Sequence, residues 1–110
     1  MKHQGPILIL STVPDLVLAR SIANDLLDKK LAACVSFLPG LESHYTWEGK
    51  KESAIEIQLF IKTTVDCYKL VEERLRELHP YECPEVLAIP IKAGYEEYLK
   101  WVAVNCRPLV

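Results

Sequence analysis

Residues 54–62 read Ala-Ile-Glu-Ile-Gln-Leu-Phe-Ile-Lys, and they form the most regular pattern in this chain. Aliphatic residues stand at every second position, namely Ile55, Ile57, Leu59 and Ile61. The alternate positions carry Glu56, Gln58, Phe60 and Lys62. A period of two predicts a strand with one face in the core and a more polar face opposite it.

This strand is predicted to be the second arm of a long hairpin. Glu48-Gly49-Lys50 supplies the turn, and the first arm runs from near Ala32 to Trp47 with a break or bulge at Pro39-Gly40. An arm of roughly 13 residues at about 3.4 Å each measures about 44 Å. A compact chain of this length has a diameter of about 35 Å. The hairpin is therefore expected to overhang its own domain or to bend at Pro39-Gly40.

Before the hairpin, the apolar run Ile7 to Leu10 predicts a central strand that is covered on both faces. Thr12 and Asp15 have the spacing of a capping box, with Pro14 in the first turn. Apolar residues then recur at helical spacing, which predicts an amphipathic helix to about Lys30.

After the hairpin, Thr63 or Thr64 is predicted to cap a second helix that His79-Pro80 ends. Val86 to Ile91 reads as a strand, and a third helix follows Gly94. The order is βαββαβ with an extra C-terminal helix. This order predicts an α+β fold of the ferredoxin-like type, with an antiparallel sheet and helices on one face. Overhang of the hairpin and the apolarity of the first strand then favour other subunits covering the second face.

Composition narrows the function classes. The 110 residues, half hydrophobic and a quarter charged, fit a single domain over residues 1–110 that needs no structural metal or other cofactor to fold. A net charge of -2 without a basic cluster argues against nucleic acid as a partner. We expect no membrane segment, a cytoplasmic location and four reduced cysteines. No nucleotide-binding, metalloprotease or serine-hydrolase motif is present, so we expect no enzyme activity.

The densest group of reactive side chains lies in residues 79–85, which read His-Pro-Tyr-Glu-Cys-Pro-Glu. Imidazole and thiolate bind copper and zinc well, so His79 and Cys83 are the candidate metal ligands. The alternative is a rigid loop between helix and strand, in which the two prolines favour extended backbone and the thiol is incidental.

A second candidate site follows from the predicted assembly. Charged and aromatic side chains of the hairpin and of the loop could line a cleft between subunits: Trp47, Glu56, Lys62, Tyr81 and Glu85. Such a cleft could hold a small anionic ligand at Lys62. In a monomer the same charges would simply face solvent, and Trp47 would pack at the hairpin tip.

Six segments in the same order resemble the CutA divalent-cation tolerance family, over about Ile7 to Trp101. They are Ala32–Val35, Pro39-Gly40, Tyr45–Lys50, Ile61–Thr64, His79–Glu85 and Tyr98–Trp101. The resemblance implies a ferredoxin-like subunit, a tight homotrimer similar to the PII signalling proteins, and a cytoplasmic role in tolerance of copper and other divalent cations.

The resemblance supports a metal site only in part, because one of the three proposed ligand positions matches. Some relatives have been proposed to bind metal through a cysteine at the end of the first strand and two successive histidines at the end of the second helix. Here Ser11 and Leu78 stand at two of those positions, and His79 alone carries over. The leading hypothesis is weak binding of divalent cations. The alternatives are a PII-like regulator that binds a small anion and an interaction scaffold with an unknown protein partner.

Overall fold

The strands of the long hairpin belong to one four-stranded antiparallel sheet with the order β2-β3-β1-β4. The computed structural model describes residues 5–107. Its elements are β1 Pro6–Val13, α1 Leu16–Asp28, β2 Cys34–Trp47, β3 Lys50–Thr64, a 3-10 turn Val65–Cys67, α2 Tyr68–Leu78, β4 Leu87–Pro90 and α3 Glu96–Val104. This is the predicted ferredoxin-like α+β order with the extra C-terminal helix.

The core lies between the helices and one face of the sheet. Alternate residues of the two central strands are buried there: Ile7, Ile9 and Val13 of β1 and Ile57, Leu59 and Ile61 of β3. The helices add Ala19, Ile22, Leu26, Val71, Leu75 and Val102. Helical and strand periodicities thus meet in one apolar cluster, as the sequence predicts.

The hairpin overhangs the rest of the subunit. β1 pairs with β3 only from Val13 opposite Ile57 to Pro6 opposite Thr64, so the first seven residues of β3 extend past β1. The molecule measures 45 × 27 × 22 Å along its principal axes. Ile55, predicted to be in the core, is instead 65% exposed because it lies in this overhang. A register shift at Pro39–Leu41 marks the predicted bulge.

Local features correct three sequence-based predictions. The N-cap of α1 is Asp15 rather than Thr12, since its Oδ1 accepts a hydrogen bond of 2.8 Å from the Leu18 amide. Thr64 precedes the 3-10 turn, but its side chain makes no capping hydrogen bond. β4 is shorter than the predicted Val86 to Ile91. Cys106, after the end of α3, is buried, and its carbonyl oxygen accepts a hydrogen bond of 3.8 Å from the Cys67 thiol.

The face of the sheet opposite the core is apolar and only partly covered. Directly paired strand residues share a face, and Leu10 pairs with both Phe60 and Leu87, while Leu8 pairs with Ile89. Leu87 and Ile89 are exposed, and the other three side chains are half-buried. We call these five residues the open sheet face. Within one subunit, β1 is therefore fully covered on the helix side alone, and cover of the other face by neighbouring subunits stays a prediction.

An ion pair joins the two long helices. Arg74 of α2 donates to both carboxylate oxygens of Asp25 on α1, at 2.9 and 3.1 Å, and Lys29 donates to one of them at 2.7 Å. The hydrogen bonds from Arg74 are the main reason that the pKa of Asp25 lies below its ordinary value, and Lys29 adds to them against the opposing effect of burial. The folded state therefore favours ionised Asp25.

We expect Asp25→Asn to lower the free energy of unfolding by about 1–3 kcal/mol at pH 7, because it breaks a charge-assisted pair. A lowered pKa contributes stability above the ordinary carboxyl value of 3.8, and this contribution disappears as the pH falls through the folded pKa. Urea unfolding at pH 7 and near pH 2.5 tests this. Asp28→Asn, at an exposed position of the same helix, is the control. Equal losses in both variants at pH 7 would contradict the assignment.

Candidate functional site

His79 anchors the loop that connects α2 to β4. Its Nδ1 accepts a hydrogen bond of 3.1 Å from the Tyr81 amide, so Nε2 carries the proton and donates to the carbonyl oxygen of Thr12 at 2.6 Å. The ring centroids of His79 and Tyr81 lie 4.5 Å apart. His79 is 8% exposed. In this conformation both ring nitrogens are occupied, and the ring fixes the loop against the end of β1.

Tyr81 in turn holds a buried carboxylate. Its hydroxyl donates to Glu56 Oε2 at 2.8 Å. Burial, followed by the hydrogen bond to Glu56 and its charge, raises the pKa of Tyr81 to about 12, so the phenol stays protonated at neutral pH. Glu56 is only 6% exposed, and no cationic side chain of residues 5–107 pairs with it. An ionised carboxylate buried in this way is costly unless a cation approaches it.

These side chains border a pocket of about 540 Å³ at the root of the overhanging hairpin. The first arm of the hairpin, β2, contributes Tyr45 and Trp47, and the second arm, β3, contributes Glu56. The remaining lining residues come from the end of β1 and from the anchored loop: Thr12, Tyr81, Glu82, Cys83, Pro84 and Glu85. We call this cavity the hairpin pocket. It combines aromatic walls with three carboxylates and one thiol.

The electrostatics of the hairpin pocket favour a positive ligand. None of its described lining residues is Lys, Arg or His. Burial, and then the negative charge of Glu56, raises the pKa of Glu85 above its ordinary value. Ionisation of Glu85 beside Glu56 is therefore unfavourable unless a positive charge compensates it. A bound cation would relieve this repulsion, whereas an anion would add to it.

Four of the five residues predicted for the ligand cleft lie together here: Trp47, Glu56, Tyr81 and Glu85. Lys62 does not line the hairpin pocket within one subunit. It stands six residues beyond Glu56 on β3, about 20 Å along the strand, with its Nζ 3.2 Å from Ser36 Oγ and 3.8 Å from Cys34 Sγ.

The two predicted metal ligands are in different situations. Cys83 lies on the pocket wall as an exposed free thiol, whereas His79 lies below the wall and supports the loop. Among residues 5–107, no three His, Cys, Asp or Glu side chains are assembled for metal coordination. A metal bound here would need side-chain movement or a further ligand from outside the described subunit.

Sequence reasoning missed Tyr45, Thr12 and Glu82 as lining residues. The strand period offered one usable signal, because Tyr45 stands two residues before Trp47 and therefore on the same face of β2. Thr12 had no comparable signal, since its place depends on where β1 ends relative to the loop.

Comparison with known proteins identifies the family. The family model described as CutA1 divalent ion tolerance protein matches residues 7–105. The chain belongs to the CutA1 family. The divalent-cation tolerance protein CutA of Thermus thermophilus is 44% identical over 97 residues, which cover 88% of this chain and 94% of that protein.

Solved structures of relatives have the same fold. The CutA crystal structure from Xylella fastidiosa superimposes with a TM-score of 0.91 at 44% identity, covering 94% of this chain and 99% of that one. The CutA of Archaeoglobus fulgidus, described as a periplasmic divalent cation tolerance protein, gives a TM-score of 0.89 at 38% identity, with 93% and 99% covered. In this family member, none of the helices within residues 5–107 is long and apolar enough to cross a bilayer.

Proposed function

We propose that this protein acts in divalent-cation tolerance as a homotrimer that binds cations weakly at the hairpin pocket, without catalysing a reaction. The observation that carries the proposal is Glu56, a buried carboxylate that faces the pocket without a cationic partner in the described chain. Glu85 adds a second carboxyl group to the same pocket, and burial followed by the charge of Glu56 raises its pKa. The family description supplies the class of ligand, a divalent ion.

Cys83 and Glu56 are the proposed primary contacts for the metal. A thiolate favours copper or zinc, and carboxylates complete sites for both ions. His79 joins them only if its ring gives up the hydrogen bond to Thr12 or to Tyr81. The free-energy cost of breaking that bond, and the absence of a preassembled set of three ligands in residues 5–107, support weak rather than tight binding.

The open sheet face supports the trimer. Its five apolar side chains form a continuous surface across β3, β1 and β4, and the overhanging hairpin extends beyond the subunit beside it. Exposed apolar surfaces of this kind are typical of subunit interfaces. A second and third copy of the same chain would cover the face and give the hairpin a surface on which to pack.

The cytoplasm is the proposed location. All four cysteines are free, and reduced thiols persist in a reducing compartment. A solved relative is described as periplasmic. Cell fractionation with an antibody therefore tests this part of the proposal, and recovery in a periplasmic fraction would contradict it.

The anionic alternative receives no support from the pocket within one subunit, because Lys62 lies elsewhere and the lining is acidic. The scaffold alternative predicts no ligand at the pocket and requires a protein partner recovered in a pull-down.

Calorimetric titration with Cu²⁺ and Zn²⁺, using reduced protein without a tag, tests the metal site. We expect Glu56→Gln and Cys83→Ser each to weaken binding by more than tenfold, about 1.4 kcal/mol, at an unchanged oligomeric state. Glu97→Gln, at an exposed position on α3, is the control for charge. His79→Gln tests the histidine, since an amide donates a hydrogen bond to Thr12 but is a poor metal ligand.

The outcomes separate the roles. Retained affinity in His79→Gln assigns that residue to loop support, whereas a tenfold loss assigns it as a ligand. If Glu56→Gln and Cys83→Ser both bind metal as Glu97→Gln does, the metal proposal for this pocket is wrong.

A further inference from the structure

The hairpin pocket is larger than a metal ion requires. Its volume of about 540 Å³ compares with about 30 Å³ for one water molecule, so a single ion would leave most of it filled with solvent. Cavities of this size ordinarily hold small organic molecules. The space therefore indicates a ligand with a body as well as a charge.

The walls have the chemistry that suits such a body. Tyr45, Trp47 and Tyr81 line the pocket with aromatic rings, and Pro84 adds a further apolar surface. The electron-rich faces of indole and phenol rings attract organic cations, with Trp the strongest of the three. A hydrated metal ion uses such walls poorly, because it keeps its water shell away from apolar surface.

The charged group would be recognised at Glu56 and Glu85. Glu56 is buried, accepts only the Tyr81 hydroxyl among the described residues, and has no ion pair. An ammonium or guanidinium group donates several hydrogen bonds, so it could satisfy Glu56 while Tyr81 remains bound. Glu85 borders the same pocket and could receive the remaining donors.

We propose that the hairpin pocket binds a small organic cation, with an ammonium or guanidinium group against Glu56 and Glu85 and an apolar body between Tyr45 and Trp47. This goes beyond the proposed metal function but uses the same carboxylates. Organic cations and divalent metal ions should therefore compete for the pocket.

Fluorescence titration of Trp47 tests the proposal, in a Trp101→Phe background that leaves Trp47 as the single tryptophan. The probes are n-hexylammonium, n-butylguanidinium and the neutral 1-hexanol. We expect saturable binding of both cations, at least tenfold tighter than the alcohol. Glu56→Gln should remove that preference while keeping an acceptor for the Tyr81 hydroxyl, and Glu97→Gln should leave it unchanged. Binding of the alcohol as tight as the amine, or no saturation by either cation, overturns the proposal.

Parallel zinc calorimetry separates the two ideas. If zinc binds in a manner that depends on Glu56 and neither organic cation binds, the metal function stands and the organic-cation site is rejected. If the organic cations bind and zinc does not, the organic-cation site stands and the metal function is rejected. Zinc that weakens n-hexylammonium binding at least tenfold supports a shared pocket, whereas simultaneous binding without mutual effect contradicts it.

Discussion

Leu10→Glu should convert the proposed trimer into a monomer of 12.5 kDa. Leu10 lies at the centre of the open sheet face, where it pairs with Phe60 on one side and Leu87 on the other. In the trimer, a glutamate there would place an unpaired charge in an apolar interface, which costs several kcal/mol per subunit. In the free subunit the same side chain would reach water. Sedimentation or light scattering at several protein concentrations measures the outcome.

Two further variants keep this test decisive. Val17→Glu puts the same charge on the exposed outer surface of α1 and should leave the mass unchanged. Leu87→Glu alters the same face at the edge strand β4. Leu87 is exposed in the single subunit, so the variant should fold. Its charge would lie in the subunit interface, so it should also dissociate the protein. A parent protein that is monomeric, or a Leu10→Glu variant that remains trimeric while folded, would contradict the proposed assembly.

Leu59→Ala should lower the free energy of unfolding by about 2–5 kcal/mol, because it opens a cavity in the core. Leu59 is fully buried in β3, opposite Ser11 of β1 and Phe37 of β2. Urea unfolding at one protein concentration, with the parent beside it, gives the difference. A loss below about 1 kcal/mol would contradict the position of β3 in the core.

Ile55→Ala is the matched control on the same strand and the same face of the alternation. Within one subunit this change should cost little, because Ile55 lies on the overhang and contacts mainly solvent. In the trimer the loss in free energy of unfolding depends on how much of Ile55 a neighbouring subunit covers. A loss that grows with subunit association would therefore place Ile55 at an interface.

Most of the fold follows from local patterns. The alternation in residues 54–62, the positive φ of Gly49 and the helical spacing after Pro14 each depend on neighbours within a few residues. Such signals predict strands, turns and helices because the backbone period is set by covalent geometry and nearby side chains. The local errors, such as the cap at Asp15, moved an element boundary and not the fold.

The pocket required information that no local pattern contains. Glu56 has the polar position of an ordinary surface strand residue, yet it is buried because the loop at residue 81 folds back over it, 25 positions along the chain. His79 looked like a free ligand, and its ring is occupied by the carbonyl of Thr12, 67 positions away. Lys62, on the same strand face as Glu56, was assigned to the same cleft and lies apart within the subunit.

The sequence thus specifies the elements, their order and the apolar stripes that pack them, since periodicity and turn chemistry act over short distances. The tertiary structure decides which polar side chains become a site. Burial and hydrogen bonding of Glu56, Tyr81 and His79 depend on where β1 ends, how far the hairpin overhangs and where the loop is anchored. These are long-range contacts, and the free energy of a charged group depends on the water and partners that such contacts leave around it.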